Sequence, residues 1–150
     1  MDDKLERLIN TLLTKRLCVC SHHVKSLVTG TILVVDDDET IRQLVSHRLG
    51  AARFEVRTCE DGREAAELLN DEYDPDLVVS DVMMPRLNGT RLARMIRNGE
   101  LAIRTDLPIV MLTSRGQEEH VLEGFEAGVD DYITKPFRSS ELEARIKRNI

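Results

Sequence analysis

Cysteine is scarce, with three among 150 residues at Cys18, Cys20 and Cys59. An odd number with no framework spacing argues against a disulfide-stapled secreted module and fits a reducing compartment. No apolar run approaches the roughly 20 residues that a membrane span needs. The first residues mix acids with bases instead of placing a basic end before an apolar stretch, so no export signal is read there. A cytoplasmic location with no membrane contact is expected. Basic charge is also in deficit: 21 Lys and Arg against 27 Asp and Glu leave a net charge of -6. A protein held on nucleic acid by phosphate contacts needs the opposite balance, so no direct nucleic-acid binding is expected of this segment. There is no internal repeat or low-complexity stretch, and the length suits one core.

What is present falls into two parts. Over residues 1–30, Leu5, Leu8, Ile9, Leu12 and Leu13 recur at helical spacing behind Asp2 and Asp3, which predicts an N-terminal amphipathic helical extension. From Thr31 on, short apolar runs alternate with amphipathic stretches. The runs are Ile32-Leu33-Val34-Val35, Phe54-Glu55-Val56, Leu77-Val78-Val79, Pro108-Ile109-Val110-Met111-Leu112 and Asp131-Tyr132-Ile133-Thr134. Helices are predicted over 39–50, 61–71, 88–98, 117–126 and 139–149. This (βα)₅ alternation predicts an α/β domain over residues 31–150. Runs apolar at consecutive positions suit strands covered on both faces of a doubly wound parallel sheet. The first, third and fourth runs are the most apolar and belong at its centre. The mixed second and fifth belong at the edges, which is the flavodoxin-like order 2-1-3-4-5.

In such a sheet, ligands bind beyond the carboxyl ends of the strands. There the sequence places Asp36, Asp37 and Asp38 after run one, Asp81 after run three, Thr113 and Ser114 after run four, and Lys135 after run five. One polar residue after a strand is commonly a helix cap. Four strands supplying a coherent set point to one site. Clustered carboxylates raise one another's pKa unless a cation neutralises them. All-oxygen ligands without histidine or thiolate suit Mg²⁺, with Mn²⁺ as a substitute, so Asp36 and Asp37 are candidate metal residues. Asp81 can be a nucleophile that forms an aspartyl phosphate. Lys135 can neutralise a phosphoryl oxygen, and the Thr113 hydroxyl can donate to another.

These residues stand in text that resembles the receiver domains of two-component response regulators. The matching pieces are Ile32-Leu33-Val34-Val35-Asp36-Asp37-Asp38, Asp76-Leu77-Val78-Val79-Ser80-Asp81-Val82-Met83-Met84-Pro85 with Asn88-Gly89, Val110-Met111-Leu112-Thr113-Ser114, and Gly128-Val129-Asp130-Asp131-Tyr132-Ile133-Thr134-Lys135-Pro136-Phe137. The resemblance implies that Asp81 accepts a phosphoryl group from a histidine kinase or a histidine phosphotransfer protein. It implies Mg²⁺ held by Asp36, Asp37, Asp81 and the backbone carbonyl of Met83. It also implies a switch pair, Thr113 and Tyr132, and a cis peptide at Lys135-Pro136. Met83 and Arg115 flank the site without an amide or carboxylate to position water, so slow self-dephosphorylation is expected. The output surface would be helix four, strand five and helix five, where Asp130, Asp131 and Arg145 match the charge pattern of relatives that dimerise. Helix four, Glu118-Glu119-His120-Val121-Leu122-Glu123, departs from that pattern in lacking a basic residue. A homodimer through this face or through the N-terminal helix is the expectation.

Receivers often continue from the fifth helix into an effector, so a truncated chain is expected. His22-His23-Val24-Lys25 is too short a context for a phosphotransfer bundle, and Cys18, Cys20, His22 and His23 lack a usual closed zinc spacing. The rival class is a haloacid-dehalogenase-like phosphatase. Asp36-Asp37-Asp38-Glu39-Thr40 satisfies its nucleophile motif, which would make Asp36 the nucleophile and Asp38 the general acid–base. That reading leaves Asp81 and Met83-Met84-Pro85 without a role and places Asp130 and Asp131 on the wrong side of Lys135. The expected class is a signalling module, not a metabolic enzyme.

Overall fold

The computed structural model describes residues 28–71, 73–114 and 118–150. The expected N-terminal helix, the Cys18–His23 cluster and Arg115 lie outside them. Among the described residues, five strands alternate with five helices: β1 Gly30–Val35, α1 Glu39–Ala51, β2 Phe54–Cys59, α2 Gly62–Asn70, β3 Leu77–Asp81, α3 Gly89–Arg97, β4 Ile109–Ser114, α4 Glu118–Glu126, β5 Asp131–Lys135 and α5 Ser139–Asn149. All pairings are parallel, in the order β2-β1-β3-β4-β5. The flavodoxin-like topology read from the sequence is thus the observed one, with helix ends within one or two residues.

Why the runs sort into centre and edge is visible in their burial. Ile32, Leu33, Val34 and Val35 of β1 are all at 0% exposure, because helices cover both faces of the sheet. Edge strand β2 leaves Glu55, Arg57 and Thr58 exposed. Strand alternation then divides the core into two layers. Leu33, Val35, Val78, Ile109 and Met111 meet Leu69 of α2 and Leu92 and Ile96 of α3. Ile32, Val34, Leu77, Val79, Val110 and Leu112 meet Val45 and Leu49 of α1 and Leu142 and Ile146 of α5. Each such burial contributes about 1.5–3 kcal/mol.

The helix starts are set by side-chain caps. Asp38 accepts from Thr40 N, Asp61 from Glu64 N and Asn88 from Arg91 N. Glu64 reaches back to Glu60 N at 2.9 Å, a variant of the capping box. At the end of the sheet opposite the site, Arg97 donates to the carbonyls of Gly128, Thr105 and Leu107 and to the Asp130 carboxylate. This one guanidinium fixes the end of α3 to the starts of β4 and β5, using the fork of donors that lysine lacks.

Candidate functional site

The carboxyl ends of β1, β3, β4 and β5 bring their polar residues to one edge. Asp36 follows directly on β1 and is wholly buried. Its Oδ1 accepts Asp38 N at 2.9 Å and its Oδ2 accepts Lys135 Nζ at 3.0 Å. Arg42, one turn into α1, donates to the Asp36 carbonyl at 2.7 Å and ties that helix to the site. Asp81 closes β3: its Oδ1 accepts Val82 N at 2.8 Å, and its Oδ2 lies 3.6 Å from Lys135 Nζ. Lys135, at the end of β5, therefore spans two carboxylates. The Lys135–Pro136 peptide is cis, as the resemblance implied.

One carboxylate oxygen each from Asp36, Asp37 and Asp81 lie within 4.8 Å of one another. Burial, and after it the neighbouring Asp36 carboxylate, push the Asp81 pKa up from 3.8 to about 6 against the opposing pull of Lys135. A carboxyl held there stays protonated under conditions where an exposed one is ionised, so the cluster gains from a cation. Three hard oxygens with no nitrogen or sulfur donor fit a divalent ion such as Mg²⁺ or Mn²⁺. Asp38, the third acid of the run, is an exposed cap on α1 and not a member of the cluster.

Close backbone packing shapes the rest of the site. The Gly89 N–H donates to the Val82 carbonyl at 2.9 Å, and a Cβ at Gly89 would overlap the carbonyl of Asp81 and press on Ser80 Oγ at 3.0 Å. Only glycine lets α3 begin against the strand that carries Asp81. Met83, two residues past Asp81, is 53% exposed in the β3–α3 loop. That loop is held to α2 by features the sequence reading missed. Arg86, at φ 68°, pairs with the buried Asp61 carboxylate, and a Cβ at Gly62 would overlap the Leu87 carbonyl. The Asp61-Gly62-Arg63-Glu64 spacing announces a helix start. Nothing local to Arg86 announces its partner.

Thr113 is 2% exposed and donates to the Ser114 carbonyl at 3.1 Å. Tyr132 pairs with Met111, two positions before Thr113 on the neighbouring strand, so both side chains belong to one face of the sheet. The Tyr132 ring meets Phe125 edge-to-face with centroids 4.9 Å apart. Its hydroxyl rests where a Cβ at Gly124 would stand, and burial, then Glu123, pushes its pKa up to about 12. The three residues of the expected dimer face are paired within the chain. Asp130 accepts from Arg97 and from Ile109 N, both at 2.8 Å, while Asp131 accepts from Arg145 at 2.8 Å and Asn149 at 3.1 Å. Among the described residues, no helix is long and apolar enough to cross a membrane.

Fold and site together define a flavodoxin-like α/β domain whose strand ends assemble an acid cluster, a lysine and a hydroxyl. The family model for the response regulator receiver domain matches residues 32–147, and the chain belongs to that family, a family of signalling modules. It is 42% identical over 121 residues to the phosphate regulon transcriptional regulatory protein PhoB of Pseudomonas aeruginosa, covering 81% of this chain and 52% of that protein. It is 45% identical over 116 residues to the probable transcriptional regulator ycf27 of Porphyra purpurea, covering 77% of this chain and 45% of that one. The chain thus spans about half the length of these relatives. A crystal structure of a putative response regulator from Chloroflexus aurantiacus superposes with TM-score 0.74 at 38% identity, covering 79% of this chain and 95% of that one. The receiver domain of NtrX from Brucella abortus does so with TM-score 0.72 at 34% identity, covering 79% and 96%.

Proposed function

We propose that the domain is a phosphoacceptor switch in which Asp81 takes a phosphoryl group from the phosphohistidine of a histidine kinase or a histidine phosphotransfer protein. The observation that carries this reading is the position of Asp81, 3.6 Å from Lys135 Nζ and within one carboxylate cluster with Asp36 and Asp37. An Asp81 carboxylate oxygen attacks phosphorus, the bond from phosphorus to the imidazole nitrogen breaks, and the imidazole leaves with that electron pair. Lys135 neutralises the equatorial phosphoryl oxygens as charge moves onto them. Asp36, Asp37, Asp81 and the Met83 carbonyl would hold Mg²⁺ or Mn²⁺, which when bound supplies charge to those same oxygens.

Freed from its bond to the Ser114 carbonyl, the Thr113 hydroxyl donates to the phosphoryl group, and Tyr132 moves inward from Gly124 behind it. This changes the α4–β5–α5 surface that a partner, an effector or a second copy would read. In a dimer through that surface, Asp130, Asp131 and Arg145 would have to exchange their present partners. Neither Met83 nor Arg115 supplies an amide or carboxylate to position attacking water, so slow loss of the aspartyl phosphate is expected, and loss of the label within seconds would refute it. The domain turns over no metabolite.

Incubation with Mg²⁺ and acetyl phosphate followed by intact mass measurement tests the assignment. One added phosphoryl group is expected, absent without Mg²⁺ and absent in Asp81→Asn. A label that survives in Asp81→Asn but disappears in Asp36→Asn, with steady release of phosphate, would replace this reading with the phosphatase one. No label at all would leave a binding module.

A further inference from the structure

Away from the acidic site, α4 carries Leu122 and Phe125, which are 65% and 52% exposed. Residues three or four apart share a helix face, so Glu119 and Glu126 flank Leu122 on that same face, and both are exposed. The helix has four glutamates and no Lys or Arg. Its outer surface is therefore an apolar centre between acidic ends. A complementary occupant has an apolar centre between basic ends.

Residues 1–27 of the same chain supply that pattern. Leu5, Leu8 and Leu12 recur at the spacing of one helical stripe, with Ile9 at the neighbouring position. Lys4 precedes Leu8 by four positions, and Lys15 and Arg16 follow Leu12 by three and four. This stretch holds five basic and three acidic side chains, whereas residues 28–150 hold 16 and 24. As a helix, Lys4 to Lys15 spans about 16 Å and Glu119 to Glu126 about 10 Å, a difference that long lysine and arginine side chains can bridge.

Topology permits the contact. α4 follows β4 and precedes β5 in a parallel sheet, so Phe125 and Glu126 lie toward the end of the sheet where β1 begins. Strands β1 and β4 are separated only by β3, which is about 10 Å across the sheet, with a further ~10 Å out to the helix layer. The 11 residues 17–27 reach up to about 36 Å when extended.

We infer that residues 4–16 dock as an amphipathic helix on the Glu119–Leu122–Phe125–Glu126 face of α4 in their own chain, with Lys4, Lys15 and Arg16 against the glutamates. The inference does not depend on phosphorylation of Asp81. Its test is hydrogen exchange of the α4 amides in the full chain, free of phosphodonor, at several protein concentrations. Exchange in the unmodified chain should be slower than in Leu8→Asp/Leu12→Asp by about tenfold, the factor that 1.4 kcal/mol of added protection produces. Lys15→Glu/Arg16→Glu should lose most of that protection, and adding Glu119→Lys/Glu126→Lys should restore it. The segment variants lie outside the β1–α5 core, so the domain's fold stays available for comparison. Equal exchange in the unmodified chain and Leu8→Asp/Leu12→Asp would overturn the inference. So would protection that grows with protein concentration, which would make a second copy the occupant.

Discussion

Asp81 is the residue whose environment most determines behaviour. Its folded pKa of about 6 stands above its ordinary 3.8, so the folded state binds the proton more tightly than the unfolded chain. That contribution to stability is fully present below pH 3.8 and is lost as pH rises through about 6. At pH 7 without metal, Asp81→Asn should stabilise the domain by roughly 1–3 kcal/mol. Urea unfolding of both proteins from pH 4 to pH 7 checks this, and a stability gap independent of pH would refute it. Binding of Mg²⁺ by the same carboxylates should weaken as pH falls below about 6. Gly124 makes a second prediction at this scale. Alanine favours the helix by about 1 kcal/mol, but its methyl would stand on the Tyr132 hydroxyl. Gly124→Ala should leave stability near the unmodified value while moving the Tyr132 ring. Tyrosine fluorescence in a Tyr73→Phe background reads that movement, and an unchanged spectrum would show that α4 gives way instead.

Among the elements, α2 and the β3–α3 loop act together through Asp61. This carboxylate is 2% exposed, caps α2 and pairs with Arg86. Asp61→Ala should cost about 0.5–2 kcal/mol, since it removes the α2 cap and leaves Arg86 without its carboxylate partner. Asp61→Asn keeps the cap and should cost less, while Arg86→Ala should leave α2 intact but loosen the loop that carries Met83. Chemical denaturation separates the first two. A Mg²⁺ affinity lowered in Arg86→Ala with the fold intact would support a positioning role for Arg86, and an unchanged affinity would remove it. The strand and helix succession was legible because each apolar run and amphipathic stretch carries its own period. The Asp61–Arg86 pair was not, because two charges 25 positions apart become partners only once the loop is folded over α2.

For the molecule as a whole, two core layers share one sheet, and each central strand contributes side chains to both. Leu112, at 0% exposure between α1 and α5 and on a strand paired to β3 and β5, should cost about 2–5 kcal/mol on replacement by alanine. Ligand linkage acts on the whole domain too. Mg²⁺ at a hundred times its dissociation constant should add about 2.7 kcal/mol to the unfolding free energy. Asp36→Asn should abolish most of that gain, as followed by thermal melts across a Mg²⁺ titration. Equal gains in both proteins would place the ion elsewhere.

By itself the sequence determined the order of strands, their centre and edge ranks, and which strand ends bear Asp36, Asp37, Asp81, Thr113 and Lys135, because hydrophobic period and the βα alternation are local properties of the chain. Tertiary structure alone decided that Asp38 serves as a helix cap while Asp36 is buried and bonded to Lys135, 99 residues away. It also decided that Asp130 and Asp131 find Arg97 and Arg145 within the chain, and that Gly124 leaves room for the Tyr132 hydroxyl. Those outcomes depend on distances across the sheet, and the pKa of Asp81 depends on them as well, since both water and its neighbouring charges are placed by packing.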